Sequence, residues 1–169
     1  MLELMGAALL AVAAVLCGFY TADIVKARCD ILEECIILIR SVASQINYAD
    51  EPVKKILFNT VKGYDYKFLT FLKVVAETEF SDGFDKLWCD CIETGCTGVY
   101  FEKQTVEMLK AFGQKLGKTD SSGQKELCIY YERKFEQLIN MTKEKRSEKM
   151  KLCRIVGLAV GTIIFVFAV

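Results

Sequence analysis

The sequence contains no histidine and a single proline, Pro52, in 169 residues. Histidine is the commonest general base and a frequent metal ligand, so its absence excludes any Ser–His or Cys–His nucleophile pair. Because proline interrupts helices, a chain with one proline has little to prevent long helices from forming. Lysine plus arginine and aspartate plus glutamate both number 22, so the formal net charge is zero. Nucleic-acid-binding proteins normally carry a basic excess, and the sequence therefore predicts no nucleic-acid partner.

Motifs that bind nucleotides are also missing. Gly117-Lys118-Thr119 has the ending of a P-loop, but Phe112 stands where that motif requires its first glycine, and no strand is predicted before it. There is no G-x-G-x-x-G fingerprint. The carboxylates lie on ordinary charged helix faces, in which no catalytic pair stands out. The sequence therefore predicts a protein that is not an enzyme and has no cofactor.

Cysteine is abundant, with eight residues, and Cys89, Cys91 and Cys96 lie close together in the chain. Zinc sites usually pair their ligands as C-x2-C and need four, and no histidine can complete this irregular set. On a helix, Cys89 and Cys91 would also point in different directions. Buried or partly buried reduced thiols are the favoured interpretation. A membrane-anchored thiol or metal sensor that uses these three cysteines remains the alternative.

The most hydrophobic parts of the chain are its two ends. Residues 4–22 form an uncharged run of about nineteen residues, which as a helix would span roughly 28 Å. The hydrocarbon core of a bilayer is about 30 Å thick, so this length fits a transmembrane helix. A cleaved signal peptide would carry lysine or arginine before the run, where only Glu3 stands. An uncleaved anchor is favoured.

A second uncharged run, at residues 155–169, ends the chain. It is short for a membrane span, but Arg154 can snorkel, and Leu152 and Cys153 extend the apolar stretch. A buried core helix is the alternative, since runs of this length are often that. The unbroken apolar sequence at residues 163–169 favours the membrane.

Basic residues follow the first run and precede the second, and neither outer end carries any. They are Lys26, Arg28, Lys143, Lys145, Arg146, Lys149, Lys151 and Arg154. Cytoplasmic loops are enriched in such residues, so the middle of the chain is predicted to face the cytoplasm. The sequence thus divides into transmembrane helices at residues 1–22 and 152–169 and a cytoplasmic helical bundle domain at residues 23–151. The basic residues would also contact anionic membrane lipids.

Small residues recur at helical spacing in both runs. Gly157 and Gly161 form a G-x-x-x-G in the second. One face of the first run carries Ala7, Ala11, Ala14 and Gly18. Small residues let helix backbones approach closely inside lipid. The pattern predicts that the two spans pack together or against a helix of a partner, including a second copy of the chain.

Apolar residues repeat every three to four positions between the two runs, which predicts helices throughout. The predicted helices are 23–48 in continuity with the first run, 52–61 closed by Gly63, 66–77, 83–93 capped by Ser81 or Asp82, 102–116 with Gly117 as its C-cap, and a long last helix capped by Thr119 or Asp120. Thr94 to Gly98 are predicted to form a loop. The predicted fold is all-α: a compact bundle in which the first and last helices pair antiparallel and extend into the membrane as N- and C-terminal spans.

Several blocks of the sequence resemble the stage III sporulation protein AB family. One block comprises Phe112, Gly113, Leu116, Gly117, Asp120 and Gln124. A second comprises Ile46, Tyr48 and Pro52. The ends contribute Leu4, Gly6, Ala7, Gly18 and Phe19 at the start, and Glu148, Lys149, Met150, Gly157, Leu158 and Gly161 near the finish. The resemblance extends over the whole chain.

This resemblance implies a protein of the mother-cell membrane around the forespore in endospore-forming bacteria. It implies a domain similar to the cytoplasmic domain of the inner-membrane platform protein of type II secretion and type IV pilus systems. Such a platform would link a cytoplasmic ATPase to membrane-embedded rings within a channel complex. By the same resemblance, Gly113 and Gly117 would let helices pack closely, and Asp120 would cap the last helix with Gln124 in its first turn.

Overall fold

A computed structural model describes the backbone of residues 2–48, 52–79 and 83–168, and the side chains of Tyr20 and residues 23–46, 52–79 and 83–145. Over these residues the protein is all-α, as the sequence predicts. Its helices are α1 (Leu2–Tyr48), α2 (Val53–Gly63), α3 (Phe71–Glu77), α4 (Phe84–Gly95), α5 (Lys103–Lys115) and α6 (Ser121–Ala168).

The long helices α1 and α6 form the most extensive contact in the fold. Ion pairs fix their relative direction, because Arg40 contacts Glu132 at 2.6 Å and Glu136 at 3.0 Å, whereas Glu33 contacts Lys143 at 3.5 Å. A later residue of α1 therefore contacts an earlier residue of α6, which means that the two helices are antiparallel. Their facing stripes are buried and apolar, and include Cys35, Leu38, Val42, Cys128, Tyr131, Phe135 and Leu138.

The four short helices complete the bundle by packing each against the next, from α1 through α2, α3, α4 and α5 to α6. Aromatic rings connect the last four of these helices through the core. Phe71 of α3 meets Trp88 of α4 with ring centroids 5.3 Å apart, Trp88 meets Phe112 of α5 at 6.4 Å, and Phe112 meets Tyr131 of α6 at 5.5 Å. Edge-to-face contacts of this kind add to the burial of large apolar area.

The predicted helix at residues 66–77 is wrong at its start, because α3 begins only at Phe71. Glu34, on the buried stripe of α1 and 5% exposed, accepts the backbone N–H groups of Lys67 at 2.8 Å, Phe68 at 3.0 Å and Leu69 at 3.0 Å. This carboxylate holds the segment before α3 in a turn against α1. A charged side chain among buried apolar neighbours is stable here because three donors satisfy its oxygens.

Other boundaries differ from the prediction by small amounts. Gly63 was predicted to follow α2 but is the last residue of this helix. Tyr64 is the C-cap of α2 and has an extended conformation. Thr94 and Gly95, predicted as loop, form the end of α4. The predicted capping residues Ser81 and Asp82 lie outside the described residues.

Each long helix continues without interruption to its end of the chain, at Leu2 for α1 and at Ala168 for α6. Over the part of the chain that the structure describes, no helix is both long and apolar enough to cross a membrane. The predicted spans fall where side chains are outside the described residues, apart from Tyr20. The same holds for Lys149, Arg154, Gly157 and Gly161.

Replacing the buried carboxylate by an amide tests its structural role. Glu34→Gln removes the charge from an acceptor of three N–H groups, and hydrogen bonds to charged groups contribute about 1.5–3 kcal/mol each. We expect the free energy of unfolding to fall by roughly 2–3 kcal/mol, since the amide oxygen can still accept some of these three N–H groups. Denaturant titration of the chain in detergent micelles, followed by circular dichroism, measures the change.

Glu33→Gln is the matched control, because this neighbour is exposed and its pair with Lys143 contributes about 0–1 kcal/mol. Equal effects of the two substitutions would contradict the role assigned to Glu34.

Candidate functional site

The turn between α5 and α6 is built around one glycine. Lys118 donates its backbone N–H to the carbonyl of Lys115 at 3.3 Å, and the intervening Leu116 has φ −65° and ψ 130°. Gly117 follows with φ +80°. These angles describe a type II turn, in which the third position requires positive φ. A side chain at Gly117 would also meet Cγ2 of Val53 at 2.7 Å, so the glycine lets α2 approach the turn.

Asp120 starts α6. Its Oδ1 accepts the backbone N–H of Gly123 at 3.1 Å, and its carbonyl accepts that of Gln124 at 2.9 Å. This is the geometry of an N-cap, which satisfies a donor that the helix itself leaves unpaired.

Gln124 folds back over the cap, in the first turn of the helix. Its Nε2 donates to the carbonyl and the hydroxyl of Thr119, both at 3.2 Å. The residue is 5% exposed, and its Oε1 is buried with no hydrogen-bond partner within the described residues. A buried acceptor without a donor is uncommon in folded proteins.

Gly113 lies directly under the indole ring of Trp88, which leaves no room for a Cβ atom. The Trp88 Nε1–H donates to the carbonyl of Leu109 at 2.8 Å in the interior. Phe112, fully buried, makes an edge-to-face contact with the same ring. The Phe112-Gly113 pair therefore joins α5 to α4, and in this way fixes the direction in which the chain enters the α5–α6 turn.

A cavity of about 310 Å³ opens beside this turn. Its wall consists of Ile46, Pro52, Val53, Ile56, Leu116, Gly117, Thr119, Asp120, Ser121 and Gln124. We call it the turn cavity. Two sequence blocks that are far apart in the chain, around Pro52 and around Gly117, thus meet at one place. The side chain of Tyr48, from the first block, lies outside the described residues.

The wall of the turn cavity combines apolar side chains with the polar side chains of Thr119, Asp120, Ser121 and Gln124. Ile46, Val53 and Ile56 supply apolar surface, while Asp120 and Gln124 supply a carboxylate and an amide group. Such a surface suits an apolar group that carries an N–H donor, as a side chain of another protein would.

Two residues important to this arrangement were missed at the level of sequence. Glu34 interrupts an apolar helical stripe, and that interruption is a signal which could have identified it. Val53 contacts Gly117 only because α2 folds against the α5–α6 turn. No local pattern reveals a contact between residues so far apart in the chain.

Cys89, Cys91 and Cys96 differ in their exposure. Cys91 and Cys96 are buried, whereas Cys89 is partly exposed and accepts a hydrogen bond from Gln114 at 3.4 Å. Burial raises the pKa of Cys96 to about 12, and burial, with a contribution from Asp90, raises the pKa of Cys91. Over the part of the chain that the structure describes, no group of three cysteine or acidic side chains is arranged to hold a metal ion.

Fold and site together define the class of this protein: it is an all-α bundle in which two separate sequence blocks meet at a cavity. The family model for stage III sporulation protein AB matches residues 3–168, nearly the whole chain. The protein therefore belongs to the stage III sporulation protein AB family, and its role is in sporulation. Comparison with curated proteins and with solved structures gave no match.

Adding one methyl group at Gly113 tests the contact between α4 and α5. Gly113→Ala forces the Trp88 ring out of its position, and overpacking of this kind typically destabilises a core by about 1–3 kcal/mol. We expect a loss of that size in denaturant unfolding, together with a change in tryptophan emission, because Trp88 is the single tryptophan.

Gly63→Ala is the control. A Cβ atom at Gly63 meets nothing within 4 Å, and Ala favours helix over Gly by about 1 kcal/mol. This variant should be unchanged or slightly more stable. A Gly113→Ala variant as stable as the wild type would show that the ring does not constrain this helix pair.

Thiol reactivity tests the sensor alternative. Thiolate is the reactive form, so a buried cysteine with a raised pKa reacts slowly at pH 8. We expect iodoacetamide to label Cys89 in the folded chain before the buried Cys91, Cys96 and Cys128. Burial raises the pKa of Cys128 to about 11. Peptide mapping by mass spectrometry identifies the labelled sites, and urea-unfolded protein is the control. Rapid labelling of Cys96 in folded protein would contradict this order.

Proposed function

We propose that this protein is a non-enzymatic platform in a membrane channel complex of sporulation. It links a cytoplasmic ATPase to membrane-embedded rings and is anchored in the mother-cell membrane around the forespore. Membership of the stage III sporulation protein AB family supports a role in sporulation. The observation that carries the platform role is the position of the turn cavity, at the end of the bundle farthest from both hydrophobic runs.

The distance between the cavity and the proposed membrane anchors follows from helix geometry. Ile46 lies 24 residues beyond residue 22 on α1, which is about 36 Å along a helix. Gln124 precedes residue 152 on α6 by 28 residues, or about 42 Å. Since α1 and α6 are antiparallel, both distances are measured in the same direction, from the proposed membrane spans toward the turn cavity. The turn cavity would therefore face the cytoplasm well above the lipid surface, where a soluble partner can reach it.

Both ends of the chain supply the anchors in this proposal. Each uncharged run continues a helix of the bundle, at 4–22 for α1 and at 155–169 for α6. Basic residues on the inner side of each run favour a cytoplasmic bundle and contact with membrane lipids. The G-x-x-x-G at Gly157 and Gly161 would pack the two spans together or against channel proteins and further copies of the chain.

The turn cavity is the surface that we assign to the ATPase. Its wall combines apolar side chains with the polar side chains of Asp120 and Gln124, which match an apolar side chain next to a hydrogen-bonding group. Interfaces of this kind concentrate their affinity in a few buried contacts. The sensor alternative has less support, because two of its three cysteines are buried.

Site-specific photo-crosslinking in sporulating cells tests the assignment. A photoreactive amino acid at Ser122, which is exposed in the first turn of α6 beside the cavity, is expected to capture the ATPase. The same amino acid at Glu144, also exposed but about 33 Å further along α6, is the matched control and should not. Immunoblotting of the crosslinked product identifies the partner.

Capture of the ATPase from Glu144 and not from Ser122 would reverse the proposed polarity. If the ATPase is captured from neither position, in cells that sporulate normally, the proposed link to the ATPase is wrong.

A further inference from the structure

The loop between α4 and α5, at residues 96–102, lies at the opposite end of the bundle from the turn cavity. Two contacts establish its place. Lys118, beside the α5–α6 turn, contacts Asp85 at the start of α4 at 3.1 Å, so α4 begins at the cavity end. Arg28, near the start of the buried part of α1, donates from Nη2 to the carbonyl of Val99 at 3.1 Å. The loop that follows α4 is thereby held at the level of Arg28.

This loop exposes apolar side chains. Val99 is 54% exposed and Tyr100 46% exposed, and they are adjacent in the chain. Residues 94–101 contain no charged side chain. Glu102, the next acidic residue, is neutralised by Arg28 at 2.5 Å. The loop thus presents an uncharged, partly aromatic tip next to a satisfied ion pair.

The distance from this tip to the proposed bilayer is short. Arg28 follows residue 22 by six residues, or about 9 Å along α1. The polar layer on each side of the hydrocarbon core is roughly 5–8 Å thick, so the level of Arg28 lies at its outer edge, within the reach of side chains from the loop. Tyr20, which is 61% exposed, lies at the end of the uncharged run of α1. Tyrosine is enriched at this depth in membrane proteins, because its ring is apolar and its hydroxyl is polar.

We infer that Val99 and Tyr100 insert into the head-group layer of the membrane, so that the bundle rests on the lipid surface through a third contact besides its two ends. The inference rests on the membrane anchoring in the proposed function. The loop would contact the phospholipid surface. Three features favour lipid over a protein partner: the loop is uncharged, Glu102 is paired with Arg28, and the loop lies near the end of the uncharged run of α1. Lys103, whose side chain is 91% exposed and lies 3.8 Å from Glu107, follows the loop directly in the chain.

This contact has a mechanical consequence. Two helices that enter a bilayer side by side leave a bundle free to tilt about the line that joins them. A third contact through the α4–α5 loop, separate from the two spans, restricts this tilt. The turn cavity at the other end is then held in a defined direction relative to the membrane.

Tryptophan quenching by brominated lipid tests the insertion. Tyr100→Trp is introduced into the full chain, which is reconstituted in phosphatidylcholine and phosphatidylglycerol vesicles with or without lipid brominated near the head group. We expect a blue-shifted emission and a loss of intensity in brominated vesicles beyond that of the wild type. The wild type reports the fully buried Trp88 alone.

Tyr130→Trp is the matched control, because Tyr130 is 50% exposed but lies toward the cavity end of α6. Its quenching should equal that of the wild type. Alkaline carbonate extraction of the same vesicles separates the two possible failures. Release of the chain by carbonate would overturn both the anchoring and the loop contact. If the chain stays in the pellet and the tryptophan at position 100 is not quenched, the loop contact alone is wrong. A blue shift that grows with protein density, without quenching, would assign the loop to a protein contact instead.

Discussion

The antiparallel contact between α1 and α6 determines everything else in this structure. Its ion pairs are mostly solvent-exposed, and such pairs contribute about 0–1 kcal/mol each. The buried stripe contributes far more, because fully burying one large apolar side chain stabilises by about 1.5–3 kcal/mol. Leu38, Val42 and Phe135 are completely buried within it. Apolar packing therefore holds the helices together, and the ion pairs define their direction and register.

This contact gives the molecule two different ends. At one end the chain enters and leaves, next to the uncharged runs, and the α4–α5 loop exposes Val99 and Tyr100. At the other end the segments around Pro52 and Gly117 enclose the turn cavity. The four short helices have a mainly structural role, since they connect these ends through the aromatic contacts from Phe71 to Tyr131. In the proposed function, one of these ends would meet the lipid and the other would meet the cytoplasmic ATPase.

The sequence predicts much of the fold because most of its signals are local. Helical periodicity and a single proline predict the long helices, and the blocks around Phe112 and Pro52 predict the family, which the match to residues 3–168 confirms. The start of α3 was mispredicted because Glu34, more than thirty residues earlier, accepts the N–H groups that a helix would use. The fit of Trp88 over Gly113 and of Val53 against Gly117 also depends on tertiary packing, which no local pattern contains.

The central claim is that a helical body on the cytoplasmic side is joined to the membrane at one of its ends. Proteolysis of the full chain in sealed vesicles of both orientations tests it most directly. In inside-out vesicles, trypsin should cleave at Lys118, which is exposed in the α5–α6 turn, and leave fragments bound to the membrane through each end. In right-side-out vesicles the chain should stay intact. Cleavage at Lys118 from the outer face, or release of the whole chain into the supernatant, would contradict the account.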